Sequence, residues 1–230
     1  MNAKYGSIFL LLGLALLGGC FIVETLPARA GFIYAAGSFL AFGLAYLSQA
    51  PGFWLKRTNG TLNPLSFVLF APLHALNWFS FRLATSLQKP KPFHEIVPGL
   101  WLGRRLTGGE AAHFSQLPEA AVLDLTAEFA ENKQLRNQNY LCLPTLDHTA
   151  PRKEQLEQAL QFIQKHIGTR PVFVHCAMGH GRSATVVAAW LLRQNKTQDI
   201  RATEKQMKTI RPGVALKRTQ VSVLKEFIGK

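Results

Sequence analysis

The chain has 230 residues, 48% of them hydrophobic, and carries a formal net charge of +13. Its three cysteines are too few for a disulfide framework and no Cys/His spacing suits zinc, so we expect neither a metal nor another cofactor. The positive charge is distributed along the whole chain and accompanies no recognition helix, zinc finger or aromatic RNA-binding signature. These features argue against nucleic acid as a partner and favour an anionic lipid bilayer and anionic substrates.

Two long uncharged runs dominate the N-terminal part. Tyr5–Val23 and Ala30–Leu55 contain no charged residue, and only Glu24 and Arg29 lie between them. Each run is long enough to cross the hydrocarbon core of a bilayer. The sequence therefore predicts a hairpin of two transmembrane helices over residues 1–55, in preference to a pair of buried helices in a soluble protein.

A lipoprotein signal is a second interpretation of the first run. Lys4 precedes the apolar residues, and Leu-Gly-Gly-Cys ending at Cys20 loosely resembles a lipid-attachment cleavage site. The apolar sequence continues beyond Cys20, however, and a second run follows at once. An uncleaved membrane segment is the simpler prediction.

The next apolar segment, Thr61–Phe81, contains two prolines and scattered polar residues, which are unfavourable in lipid. Its aromatic residues, with Arg82 beside them, favour an interfacial helix over a third span. We assign residues 56–92 to this segment and a linker. With two spans, the positive-inside rule places Lys4 and Lys56 in the cytoplasm, whereas a third span would place the rest of the chain outside. We expect a multi-pass protein of the inner (cytoplasmic) membrane whose C-terminal domain is cytoplasmic.

Strand-like and helical patterns alternate over residues 93–230, where we place one domain. This alternation predicts an α/β fold with a central mixed or parallel sheet flanked by helices. The predicted strands are Gly99–Gly103, Ala120–Leu125, Tyr140–Leu143 and Val172–His175, and the predicted helices are Arg152–Ile167, Gln198–Ile210 and Lys217–Ile228.

The most informative sequence is a loop that runs from a β-rich segment into a helical one. Cys176 and Arg182 stand at its two ends. Backbone N–H groups in such a loop and at the helix N-terminus can converge on one anion, assisted by the helix dipole. We predict a phosphate-binding loop formed by Ala177, Met178, Gly179, His180, Gly181 and Arg182.

Each residue type in the loop suits this chemistry. Convergent N–H donors favour thiolate over thiol, which lowers the pKa of Cys176 and provides a nucleophile near neutral pH. Arg182 can hold two phosphoryl oxygens with its planar guanidinium. Gly179 and Gly181 permit positive φ angles and close backbone approach. Ser183 can donate a hydrogen bond to the Cys176 sulfur and so assist the thiolate as a leaving group.

The sequence His-Cys-x-x-Gly-x-x-Arg-Ser over residues 175–183 resembles the signature of the cysteine-dependent protein tyrosine phosphatase superfamily, specifically its dual-specificity branch. Weaker similarity extends the resemblance over residues 93–228, through Ile96–Gly103, Ala121–Glu128 and Ile210–Gly213. The resemblance implies a dual-specificity phosphatase-like fold, phosphate binding by the arginine and loop amides, and a phosphocysteine intermediate.

The same resemblance implies an aspartate as general acid on a loop about thirty residues upstream of the cysteine. Asp147 lies 29 residues before Cys176 and is our candidate. Asp124 is a competing carboxylate, although its position inside a strand favours a structural role. We expect His175 to orient the loop and support the thiolate. We interpret His148 and His180 as solvated loop residues and Cys142 as a buried core thiol.

The sequence is consistent with two classes of phosphate monoester as substrate. Dual specificity is implied by the resemblance and favours phosphoproteins carrying phospho-Ser, phospho-Thr or phospho-Tyr. A membrane anchor makes a phospholipid monoester, such as phosphatidylglycerophosphate or a phosphoinositide, an accessible alternative. The neutral interior of the loop argues against a polyphosphorylated head group, because Ala177, Met178 and His180 replace basic residues of family members that prefer inositol phosphates. A non-catalytic phosphate-binding scaffold is a third, less favoured hypothesis.

Overall fold

The computed structural model describes residues 3–88, 91–114, 119–136, 139–195 and 199–229. Their contacts divide the chain into two units. One contains the chain up to Leu55 together with Leu62–Leu87, and the other contains Lys56–Thr61 together with the chain from Gln88 onward. The segment predicted as linker and interfacial helix is thus divided between the two units, and Lys89 and Pro90 of the predicted linker lie outside the described residues.

The N-terminal unit is helical. It contains α1 (Ala3–Gly19), α2 (Leu26–Leu47), a 3-10 helix (Pro51–Trp54), α3 (Pro64–Leu69) and α4 (Ala71–Gln88). Glycines bring α1 and α2 close together, since a Cβ at Gly43 would lie 2.7 Å from Leu10 Cγ and 3.0 Å from Gly6 O. Within the described residues, α2 is the helix that is long and apolar enough to cross a membrane, whereas α1 is a shorter apolar helix of 17 residues.

The helices of this unit differ from the predicted runs at their ends. The first helix stops at Gly19, before the apolar run ends, and the second stops at Leu47, where Ser48, Gln49 and Pro51 interrupt the apolar sequence. The segment predicted as one interfacial helix is two helices, with a break at Phe70 where the backbone leaves helical geometry. The second of these, α4, continues beyond Phe81 to Gln88.

The C-terminal unit is built on a mixed sheet, which confirms the predicted fold class. Its strands lie in the order β1-β2-β5-β3-β4, with β1 antiparallel to β2 and the other neighbours parallel. The strands are β1 (Phe93–Val97), β2 (Leu100–Arg104), β3 (Ala121–Thr126), β4 (Tyr140–Thr145) and β5 (Val172–Cys176). The stretch read from the sequence as one opening strand is a hairpin, since Pro98-Gly99 forms the turn between β1 and β2.

Helices cover the two faces of this sheet. They are α5 (Gly108–Phe114), α6 (Lys153–His166), α7 (Arg182–Asn195), α8 (Ile200–Ile210) and α9 (Arg218–Ile228). On one face, Val172, Val174 and Cys176 point into a large apolar core shared with α6 and α7. On the other, Phe173 packs with Phe114 of α5 in a smaller core. Side chains alternate between these faces along β5, so its last two residues face opposite sides of the sheet.

Candidate active site

The loop after β5 surrounds the sulfur of Cys176 with hydrogen-bond donors. β5 ends at Cys176 and α7 begins at Arg182, so the loop occupies the C-terminal edge of the sheet. Cys176 is 3% exposed. Its Sγ accepts hydrogen bonds from the Gly179 backbone N–H and the Ser183 hydroxyl, each at 3.3 Å. The contact expected between Ser183 and the sulfur is therefore present.

Gly179 allows the loop to turn against β2. Its φ is +72°, and a Cβ at this position would lie 2.3 Å from the carbonyl oxygen of Gly103. Both the left-handed backbone and the close approach to another strand require a residue without a side chain. The packing of the loop against β2 therefore explains why the motif has glycine at position 179.

The surroundings of Cys176 favour its thiolate. Burial opposes ionisation, but the positive charge of Arg182 and the hydrogen bonds from Ser183 outweigh it, so the pKa of Cys176 lies below that of an ordinary thiol. The negative charge of Asp147 acts in the opposite direction. A thiolate nucleophile requires a pKa shift in this direction.

A buried carboxylate holds Arg182 in place. The two guanidinium nitrogens donate to Glu128 Oε1 and Oε2 at 2.7 and 2.8 Å, and Nη1 also donates to the Thr145 carbonyl at 2.9 Å. Arg182 is 1% exposed. The sequence interpretation missed this role of Glu128, because the residue lies in the loop after β3, 54 positions away. Such a bidentate pair fixes the plane of the guanidinium at the loop.

Asp147 lies on the loop after β4, within reach of the same arginine. Its Oδ1 is 3.2 Å from Arg182 Nη2 and accepts the His148 backbone N–H at 2.9 Å. Partial desolvation tends to raise the pKa of Asp147, but Arg182 and His148 outweigh it and hold this pKa below its usual range. A general acid needs a pKa nearer the working pH, and the contact with Arg182 opposes this.

Arg211, at the end of α8, binds the backbone carbonyls of the loop. Nε donates to the Gly179 carbonyl at 3.0 Å, Nη2 to the Met178 carbonyl at 3.0 Å, and Nη1 contacts His94 Nδ1 at 3.0 Å. Burial is the main reason that the pKa of Arg211 is lowered to about 10. The Ile210–Gly213 segment had been recognised, but not the contact of its arginine with the loop carbonyls.

His175 faces the other side of the sheet from Cys176 and belongs to a buried polar cluster. Its Nε2 lies 2.7 Å from Glu131 Oε2 and 3.9 Å from Asp124 Oδ1. Burial disfavours the imidazolium, but Glu131 and Asp124 outweigh it and raise the pKa of His175. Its Nδ1 is 3.4 Å from the Cys176 carbonyl oxygen. Asp124 is fully buried in β3 and its carboxylate bonds within this cluster, not at the phosphate loop.

A cavity of about 200 Å³ opens over the loop. The predicted loop residues line it except Gly179, and Asp147 lies at its wall. The side chains that sequence reasoning did not associate with the site come from the α8–α9 region. The lining consists of Asp147, His148, Cys176, Ala177, Met178, His180, Gly181, Arg182, Gly213, Ala215, Lys217 and Gln220.

The fold and the loop geometry are those of cysteine-dependent phosphatases. The crystal structure of Tk-PTP in the active form superimposes with a TM-score of 0.55 at 28% sequence identity, over 60% of this chain and 97% of that one. The chain belongs to the dual specificity phosphatase family, because the model of that family's catalytic domain matches residues 100–229.

Two curated relatives are named for different activities. The chain is 36% identical over 90 residues to phosphatidylglycerophosphate phosphatase PTPMT2 of Arabidopsis thaliana, a match that covers 38% of this chain and 39% of the relative. It is 33% identical over 107 residues to human dual specificity protein phosphatase 1, covering 45% of this chain and 29% of the relative. The chain thus matches less than half the length of each of these relatives.

Proposed function

We propose that this protein hydrolyses phosphate monoesters carried by membrane lipids, through a phosphocysteine intermediate. The observation that carries the reaction type is the convergence of Cys176, Arg182 and Asp147 on one cavity. A thiolate, a guanidinium and a carboxylic acid are the groups that an in-line phosphoryl transfer needs.

In the first step, the Cys176 thiolate attacks phosphorus and the bond from phosphorus to the leaving oxygen breaks. Arg182 and the loop N–H groups bind the equatorial phosphoryl oxygens, and Asp147 gives its proton to the leaving oxygen. A bound phosphoryl dianion occupies Arg182 and places negative charge beside Asp147. Both effects raise the pKa of Asp147 from its low value in the free site, which allows it to carry a proton.

In the second step, water attacks phosphorus and the bond between sulfur and phosphorus breaks. Asp147, now ionised, accepts the proton of the water, and the products are inorganic phosphate and the thiolate. The Ser183 hydroxyl, 3.3 Å from Sγ, stabilises the departing sulfur anion. We assign the orienting role to His175, behind the loop, and no metal takes part in either step.

Two observations favour a lipid over a phosphoprotein. The chain carries the apolar helix α2, which is of membrane-spanning length, so a lipid substrate shares the surface to which the enzyme is anchored. The relative PTPMT2 of Arabidopsis thaliana, which is named a phosphatidylglycerophosphate phosphatase, is 36% identical over the matched residues. The sequence alone had favoured phosphoproteins. We further propose that the chain crosses the inner membrane more than once and presents its phosphatase domain to the cytoplasm.

Phosphoproteins are the second candidate. The match to human dual specificity protein phosphatase 1 extends over 107 residues, more than the match to the lipid phosphatase. A cavity of about 200 Å³ also accommodates the phosphate of a side chain.

The test is phosphate release by the full-length protein in vesicles, measured with a phosphatidylglycerophosphate-containing bilayer and with phosphotyrosine and phosphothreonine peptides. We expect a higher kcat/KM for the lipid, and no turnover of either by Cys176→Ser. A preference for peptides would replace the lipid proposal by the phosphoprotein one. Turnover by Cys176→Ser would contradict the covalent mechanism.

A further inference from the structure

The short segment between the two parts of the N-terminal unit belongs to the phosphatase domain. Lys56–Thr61 groups with the C-terminal unit, although the residues that match the family begin only at residue 100. The Lys56 side chain is 0% exposed, and so is that of Asp124. A fully buried lysine is rare in proteins unless its charge is paired.

Lys56 is bound at three points at the C-terminal end of β3. Its Nζ donates to Asp124 Oδ2 at 2.6 Å, to the Thr126 hydroxyl at 2.7 Å and to the Thr126 carbonyl at 2.8 Å. The Tyr140 hydroxyl also donates to Asp124 Oδ2 at 2.7 Å. All three donors of the ammonium are therefore satisfied by acceptors of the sheet.

The same segment also contacts the backbone of Glu131, the second acidic residue of the cluster. The Gly60 carbonyl accepts the backbone N–H of Glu131 at 2.9 Å. Gly60 has φ of +80°, and a Cβ there would lie 2.4 Å from the Tyr140 hydroxyl, so a side chain would displace the segment. Lys56–Thr61 thus contacts both acidic residues that flank His175.

The cluster combines two acids with a cation. Asp124 and Glu131 carry formal negative charges, Lys56 carries a positive charge, and the His175 imidazole lies 2.7 Å from Glu131 and 3.9 Å from Asp124. The carboxylates and imidazole of Asp124, Glu131 and His175 lie close enough to bind a metal ion. The ammonium 2.6 Å from Asp124 already provides the cation that these acids need.

The register of the sheet places this cluster next to the nucleophile. Asp124 and His175 are direct partners in neighbouring parallel strands, and Cys176 follows His175. We propose that Lys56 is a positioning residue of the active site: it neutralises Asp124 behind the phosphate loop and so keeps a net negative charge away from His175 and Cys176. The proposal rests on the nucleophilic role of Cys176 proposed above.

Opposite charge changes at the two ends of the ion pair test this directly. Lys56→Met leaves Asp124 unpaired, so the added negative field disfavours the thiolate. Asp124→Asn leaves the ammonium unpaired and favours the thiolate. We expect the pKa of Cys176 to rise in the first variant and fall in the second, each by on the order of one unit. In the double variant, which removes both charges, it returns close to the wild-type value.

The measurement is the rate of Cys176 alkylation by iodoacetamide as a function of pH, followed by peptide mass spectrometry on the full-length protein. Arg57→Met is the matched control, because Arg57 is exposed in the same segment and its removal should not move the titration. No variant replaces another ionisable group around the thiol, although the pKa of His175 itself depends on Lys56 and Asp124. These other groups are Arg104, Glu128, Glu131, Asp147, His175, Arg182 and Arg211.

Shifts of opposite sign support the proposal. If both single variants lower the thermal midpoint but leave the alkylation titration in place, or move it in the same direction, Lys56 is only structural and the proposal fails. If one single variant does not fold, the sign of the shift in the other decides. Alkylation needs no phosphate ester, so failure here is distinguishable from failure of the proposed hydrolysis.

Discussion

At the scale of single residues, the site depends on how Arg182 divides its hydrogen bonds. Its guanidinium binds Glu128 in bidentate fashion and also lies 3.2 Å from Asp147. The pair with Glu128 is buried and the Asp147 carboxylate is 52% exposed. Glu128 is therefore the permanent partner, whereas Asp147 is the partner that an incoming phosphoryl group can replace.

This arrangement leads to a pH prediction for Asp147→Asn. A general acid must be protonated, so its ionisation produces the alkaline limb of the kcat profile. Removing it should abolish that limb and lower kcat by about 10²–10⁴-fold for a substrate with an alkoxide leaving group. Asp147 also raises the pKa of Cys176 in the free enzyme, so the acidic limb of kcat/KM, which reports thiolate formation before substrate binds, should move to lower pH.

The measurement is the pH dependence of kcat and of kcat/KM for an alkyl phosphate and an aryl phosphate with an acidic phenol. The aryl phosphate is the internal control, because its leaving group needs little protonation and should lose far less rate. An unchanged alkaline limb with the alkyl phosphate would assign the acid to another residue.

At the scale of elements, the phosphate loop is held from both sides. Gly179 contacts β2, and its carbonyl accepts a hydrogen bond from Arg211 after α8. Arg211 also binds the Met178 carbonyl. Because these carbonyls point outward to a cation, the opposite N–H groups are directed inward, where the anion binds.

Arg211→Lys should loosen the loop. A lysine retains the charge but cannot match the fork that bonds several acceptors, so we expect a loss of about 2–3 kcal/mol in stability. The inhibition constant for vanadate should rise roughly tenfold, since a loss of about 1.4 kcal/mol in binding corresponds to that factor. Thermal unfolding measures the loss of stability, and inhibition by vanadate measures the rise in the inhibition constant. Arg201→Lys, at an exposed position of α8, is the control, and equal behaviour of the two variants would contradict the role of Arg211.

These contacts show which part of the site could be read from the sequence. Cys176, Arg182 and Ser183 lie in one short segment, so their proximity follows from local geometry. Glu128 and Arg211 reach the loop only through the order of the strands and the packing of α8, which no local pattern contains. The β1–β2 hairpin was read as one strand because its turn is only two residues long, and α5 was missed because it starts with two glycines and has seven residues.

At the scale of the whole molecule, chain order places Lys56 directly after the apolar helices and inside the phosphatase domain. A proteolytic or genetic boundary placed after Leu62 would remove the partner of Asp124. The family match begins at residue 100 and therefore gives no indication that Lys56 belongs to this unit. The compact unit is therefore longer than the segment recognised by similarity.

Membrane topology decides which compartment contains the active site. The α2 helix has 22 residues, about 33 Å of helix, and exceeds the roughly 30 Å of hydrocarbon. The 17 residues of α1 give about 25 Å, at the lower end of spanning lengths. If both helices span, the two chain ends share one side of the membrane; if α2 spans alone, they lie on opposite sides.

We expect both ends in the cytoplasm, because Lys4 and the Lys56-Arg57 pair lie at the ends of the two apolar runs that the positive-inside rule places there. The check is labelling of single introduced cysteines by a membrane-impermeant maleimide in intact cells, one near Lys4 and one near Gly229, in a Cys20→Ser background. An exposed cysteine in the turn near Glu24 serves as the control and should be labelled from outside. Labelling of the Gly229 position from outside would contradict the cytoplasmic assignment. Cys176 would then lie outside the reducing cytoplasm, and its free thiol would need another explanation.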